Sequence, residues 1–176
     1  MAAIPVWDPL VRICHWLVAT LFFANFWLLE AGETPHEWVG YSIASLVAMR
    51  LVWGFTGPAN ARIVHFWPTP ARINQHLKNI RAPVAIGHNP LGGAMILFLW
   101  FMLLLAALSG WLQTTDKYWG EEWVENVHNF SADIVMVAVA IHIAAVLIMP
   151  RINGTALVVP MVTGRRKQHA LDRKTR

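Results

Sequence analysis

Residues 124–149 read VENVHNFSADIVMVAVAIHIAAVLIM, with Glu125 and Asp133 as acids and no Lys or Arg. As a helix this stretch is long and apolar enough to cross a hydrocarbon core about 30 Å thick. Two histidines interrupt it, His128 and His142. They are 14 residues apart, nearly four helical turns, so both point to one face and stand about 21 Å apart along the axis. One imidazole then lies toward each side of the membrane. Ionisable groups inside a span are costly and need partners.

Three more apolar stretches cover residues 9–29, 36–55 and 90–112. The third of the four spans carries no charge, while Arg12, Arg50 and Asp133 in the others each require a polar task. Composition agrees with lipid as solvent. The 176 residues are 56% hydrophobic and 14% charged, against roughly 25% charged in an average soluble domain, and the mean hydropathy is +0.45. Disorder needs the opposite balance. The lone Cys14 excludes a disulfide framework. The expected fold is all-α: a four-helix transmembrane bundle over 1–150, followed by a basic tail over 151–176.

Helix starts are written in the sequence. Asp8-Pro9 and Asn89-Pro90 each pair a capping side chain with proline at the first helical position. Thr34-Pro35-His36-Glu37 has the T-x-x-E pattern of a capping box. Met149-Pro150 is expected to close the last span. No basic segment precedes residues 9–29 and no small-x-small site follows, so this stretch reads as a retained helix and not a cleaved signal.

Thirteen of the fourteen Lys and Arg residues fall on one side of this arrangement; Lys117 alone falls on the other. By the positive-inside rule both termini and the central loop are cytoplasmic. The inner face, less Asp8 and Asp172, carries +11. The outer face, with Glu30, Glu33, Glu37, Asp116, Glu121, Glu122 and Glu125 against Lys117, carries −6. The pI of 9.7 therefore reports topology and not a nucleic-acid partner. Trp7, Trp16, Trp53 and Trp67 lie toward the inner interface, and Trp27, Trp38, Trp111, Trp119 and Trp123 toward the outer one. In the central loop, residues 70–81 (PARINQHLKNIR) read either as a short interfacial helix on the inner leaflet or as a solvated loop. The basic C-terminal residues suit anionic lipid.

Threading the spans sorts the intramembrane histidines by depth. His15 and His142 fall toward the inner side, His36 and His128 toward the outer side. Two facing imidazoles inside an apolar bundle suit haem, whose iron takes one axial ligand on each face. Both axial positions are then filled, which favours electron transfer over oxygen chemistry. Two non-covalent, bis-histidine haem b groups are expected, since no C-x-x-C-H occurs and Cys14-His15 lacks the first cysteine. Arg12 and Arg50 are candidates for the propionates. Gly40, one turn after His36, would let a flat macrocycle approach. Zinc is a poorer fit, because each pair offers two ligands with no carboxylate or thiolate at its depth. Met49, Met95, Met102 and Met136 read as packing. His65, His76 and His169 read as solvated. His88 either meets a quinone head group or helps cap the third span, and Asp133 either moves a proton or bonds a neighbouring helix.

Arg12-Ile13-Cys14-His15-Trp16, His36-x-x-x-Gly40 with Arg50, His88-Asn89-Pro90-Leu91-Gly92, and His128 with His142 resemble the prokaryotic cytochrome b561 family and the related b-type cytochrome subunit of nickel–iron hydrogenases. The resemblance covers about residues 5–150. It implies a four-helix membrane cytochrome with two b haems, ligated by His15, His36, His128 and His142, and electron transfer between an outer partner and the quinone pool. The partner would be a periplasmic redox protein, either a c-type cytochrome or a dehydrogenase or hydrogenase subunit. The outer loops here are shorter than in hydrogenase-type members. The chain then serves as the electron-transfer subunit of a quinone-linked oxidoreductase. The alternative is a self-sufficient superoxide:quinone reductase, which an outer face at −6 disfavours. A membrane module without redox function leaves the paired histidines unexplained. Whether two copies form a homodimer stays open.

Overall fold

The computed structural model describes residues 3–81 and 89–167. His88 and the last nine residues of the expected tail lie outside the described residues. Among the described residues six α-helices follow in order: α1 (Pro9–Trp27), α2 (Thr34–Thr56), α3 (Pro70–Lys78), α4 (Pro90–Gln113), α5 (Glu122–Asn153) and α6 (Val158–Thr163). Single 3-10 turns occupy Ala59–Ala61 and Ile63–His65. Two three-residue strands, β1 (Ala3–Pro5) and β2 (Arg165–Lys167), pair antiparallel with Ala3 opposite Lys167. Helices α1, α2, α4 and α5 are each long and apolar enough to cross a membrane, so the chain is a multi-pass membrane protein.

The helix starts follow from side-chain chemistry. Asp8 Oδ1 accepts the N–H of Leu10 at 3.0 Å and of Val11 at 3.3 Å, satisfying two donors that the first turn leaves orphaned. Asn89 does the same for α4 through the Gly92 N–H at 2.5 Å. At α2 the outcome differs from the capping-box reading. The helix begins at Thr34 itself, and the Glu37 N–H bonds the Glu33 carbonyl at 3.2 Å. Thr34 is thus inside the first turn and not its cap.

Helix α5 corrects the expected stop at Met149-Pro150. It continues through Pro150 to Asn153. Proline lacks one N–H and so leaves the Val146 carbonyl without its helix partner; one turn away the Arg151 guanidinium donates to the Leu147 carbonyl at 2.7 Å. The chain leaves the helix where the Gly154 N–H bonds the Pro150 carbonyl at 3.0 Å and Asn153 Oδ1 takes the Thr155 N–H at 3.0 Å. Helix α3 settles the loop-or-helix alternative for 70–81 in favour of a helix, ending at Lys78. Thr69 caps its start through the Arg72 N–H, and the Asn79 amide donates to the Gln75 carbonyl at 3.1 Å.

The contacts divide into two units. One consists of Met1–Ile13, Trp53–Ile96 and Ile141–Arg176. Within it β1 meets β2, the Val6 N–H bonds the Gly164 carbonyl at 2.8 Å, and Val6, Ala61, Ile63 and Phe66 are buried. Residues 154–167, part of the expected tail, hold α6 and β2.

The other unit consists of Cys14–Val52 and Leu97–Ala140. Its core is Phe22 of α1, Ile43 and Val47 of α2, Met102 and Leu103 of α4, and Val135 of α5. Each of four helices supplies part of one apolar centre, which is the organisation of a helical bundle. Met102 is buried in this core and Met136 packs against it, the packing role read from the sequence. Phe101, Phe130 and Val137 point outward at 57–65% exposure. Such residues suit lipid.

Candidate functional site

The second of these units encloses a cavity of about 510 Å³, within the roughly 300–1,000 Å³ typical of ligand pockets. Its walls are largely apolar: Phe22 and Phe26 from α1, Ile43 from α2, and Leu103, Ala106 and Ala107 from α4. Into this shell α2 brings His36 and α5 brings His128.

The two imidazole rings stand 6.0 Å apart, centre to centre, with planes inclined at 67°. An imidazole nitrogen about 2 Å from a metal puts its ring centre about 3 Å away, so two rings holding one ion from opposite sides stand about 6 Å apart. His128 is also oriented for that task. Its Nδ1 lies 2.8 Å from the Ala106 carbonyl oxygen. A carbonyl only accepts, so Nδ1 carries the proton and Nε2 keeps a free lone pair. Bonding the distal ring N–H to a backbone carbonyl is the usual support of a metal-ligating histidine.

Two glycines shape the space. A side-chain carbon at Gly110 would lie 3.1 Å from Cε1 and Nδ1 of His128, so glycine lets α4 approach that ring without displacing it. Gly40 lines the cavity, and a side-chain carbon there would meet nothing within 4 Å. Protein packing does not demand a glycine at 40; open space toward the cavity is what it leaves. His36 Nδ1 and Asn25 Oδ1 are both buried, neither with a hydrogen-bond partner among the described residues. Glu37, Glu121 and Glu125 also line the cavity, giving it an acidic border.

The remaining residues singled out in the sequence are distributed as follows. His15 belongs to the same unit, half-buried, with its ring edge-on to Trp16 at 5.1 Å. His142 is half-buried on α5 in the other unit. Arg50 is buried, its guanidinium 5.3 Å from the centre of the Trp100 ring. Arg12 donates from Nε to the Met161 carbonyl at 3.3 Å and from Nη2 to the Val162 carbonyl. Asp133 is exposed on α5 and does not line the cavity.

Sequence reasoning missed Asn25, Gly110 and the Ala106 carbonyl. Asn25 could have been noticed as the one amide in the run LFFANFW. Gly110 is on a different helix from His128, and no spacing rule within one helix connects them.

A family model described as prokaryotic cytochrome b561 matches residues 6–164 of the chain. No curated protein and no solved structure matches it.

Proposed function

The chain belongs to the prokaryotic cytochrome b561 family, and from that premise we propose that it carries electrons between a periplasmic redox partner and the quinone pool, using two b haems. Membership makes it a membrane b-type cytochrome that binds haem b and works in electron transfer. The two-haem arrangement and the assignment of ligands extend that premise.

The observation that carries the reading is the His36–His128 pair. Its 6.0 Å ring separation, the proton held on His128 Nδ1 by Ala106 and the open approach beside Gly40 all fit a macrocycle held by one imidazole on each face. His36 and His128 would hold a haem there, and the haem would supply a one-electron relay. The residues of the chain do the rest. Phe22, Phe26, Ile43 and Leu103 exclude water, and Gly110 gives the His128 ring its place. His15 and His142 are the second pair in this reading, supported by the 14-residue spacing on α5. Arg50, buried against Trp100, is the cation we assign to that second haem's propionates. The bonds of Arg12 instead fasten α6. His88, just before α4, is the residue we assign to the quinone end.

Charge supports the direction of assembly. The lopsided distribution of Lys and Arg favours cytoplasmic termini in a bacterial inner membrane and puts the His36–His128 site on the periplasmic side. Glu37, Glu121 and Glu125 then favour a partner with a basic surface, such as a small c-type cytochrome. They repel a superoxide anion, and Lys117 is engaged over the Tyr118 ring at 4.9 Å, so the superoxide:quinone reading has the weaker support.

The test is a haem-to-protein ratio with a reduced-minus-oxidised spectrum on the detergent-purified protein. Two non-covalent, low-spin b haems per chain are the expected result. A ratio of one would refute the second pair, and a ratio of zero would refute the whole assignment.

A further inference from the structure

The two histidines of the cavity are not supported alike. His128 has its Nδ1 proton held by a backbone carbonyl at 2.8 Å. His36 Nδ1 is equally buried but has no such bond among the described residues.

A second orphan lies beside it. Asn25 Oδ1 is a buried acceptor without a donor. Asn25 sits in the last turn of α1, borders the same cavity as His36, and its backbone carbonyl faces the His36 ring. An amide in the middle of Phe22, Phe23, Phe26 and Trp27 is unfavourable in an apolar span unless it is hydrogen-bonded. Both atoms border one cavity, and an Nδ1–H can donate where an amide oxygen accepts.

We propose that Asn25 is the positioning residue of His36: its side-chain oxygen accepts the Nδ1–H of His36 when Nε2 faces the haem iron. This rests on the His36–His128 reading above. Rotation of the amide closes the bond, fixes the tautomer of His36 and makes its imidazole a stronger electron donor. The cavity then holds one ligand on a rigid backbone carbonyl and the other on an adjustable side chain. Asn25 thereby becomes the residue through which the potential of this haem is set.

The experiment compares Asn25→Leu, Asn25→Asp and His36→Ala by haem-to-protein ratio, redox titration and low-spin electron paramagnetic resonance. Asn25→Leu keeps the bulk but removes the acceptor. It is expected to raise the midpoint potential of one haem and weaken its retention roughly 10–100-fold. Asn25→Asp keeps an acceptor oxygen in either protonation state, so the potential should stay at or below that of the parent protein with haem retained. If both variants shift the potential the same way, or neither shifts it, the positioning role is refuted. Should the Leu variant fail to assemble, the Asp variant decides: a raised potential or lost haem there counts against the proposal. His36→Ala separates the levels. Loss of one haem in His36→Ala with unchanged Asn25 variants overturns only the Asn25 assignment, whereas two haems retained in His36→Ala overturn the ligand reading beneath it.

Discussion

At the scale of single residues, the site depends on what holds each imidazole. His128 is fixed by Ala106 from behind and by the absence of a side chain at Gly110. His128→Leu is expected to remove one of the two low-spin haem signals and leave the other, which a haem-to-protein ratio near one would register. Gly110→Ala is a finer probe. A methyl group 3.1 Å from the ring forces His128 to move by a few tenths of an ångström, straining its bond to Ala106. Broadened or shifted resonance of one haem, with the second unchanged, is the expected outcome. The histidines themselves were legible in the sequence, because an imidazole in an apolar span is conspicuous. Their supports were not, because a backbone carbonyl and a glycine carry no chemical label until another helix is laid against them.

At the scale of elements, the helix starts were legible and the stops were less so. Asp8 and Asn89 act through bonds within three residues, which depend on local sequence only. Asp8→Ala should therefore destabilise the protein by about 1 kcal/mol, the usual loss of an N-cap, read as a lower thermal midpoint in detergent. Pro150 misled because a proline removes a single helix bond, that to the Val146 carbonyl, and α5 continues past it to Asn153. The start of α4 has a tertiary constraint as well. A side-chain carbon at Gly93 would collide with the Phe66 carbonyl. Gly93→Ala is expected to cost about 1–3 kcal/mol through overpacking. Gly92→Ala serves as the control, since its nearest neighbour is the Asn89 side chain.

At the scale of the whole molecule, the proposed orientation and partner rest on charge. Thirteen of fourteen basic residues on one side of the spans predict that a fluorescent reporter fused to the C-terminus matures in the cytoplasm, while a periplasmic phosphatase reporter there stays inactive. An active phosphatase would reverse the topology and with it the assignment of the His36–His128 site. The acidic border of the cavity gives a kinetic prediction. Reduction or oxidation by a basic c-type cytochrome should slow steeply as salt is raised, because exposed charges are screened within about 8–10 Å at 0.10–0.15 M ionic strength. The double substitution Glu121→Lys with Glu125→Lys should lower that rate at low salt and flatten its salt dependence.

The sequence by itself determined the membrane class, the four spans, the side on which charge accumulates and which histidines fall inside the spans. These depend on hydropathy, on charge and on the pitch of one helix, all of which act along the chain. Only the tertiary structure decided that His36 and His128 face each other at 6.0 Å. It alone revealed that Ala106 fixes the His128 tautomer, that Gly110 admits its ring, and that the Asn25 side-chain oxygen is buried without a partner at the cavity that His36 lines. Those relations join atoms on different helices. Packing sets them, and no periodicity within a single helix records it.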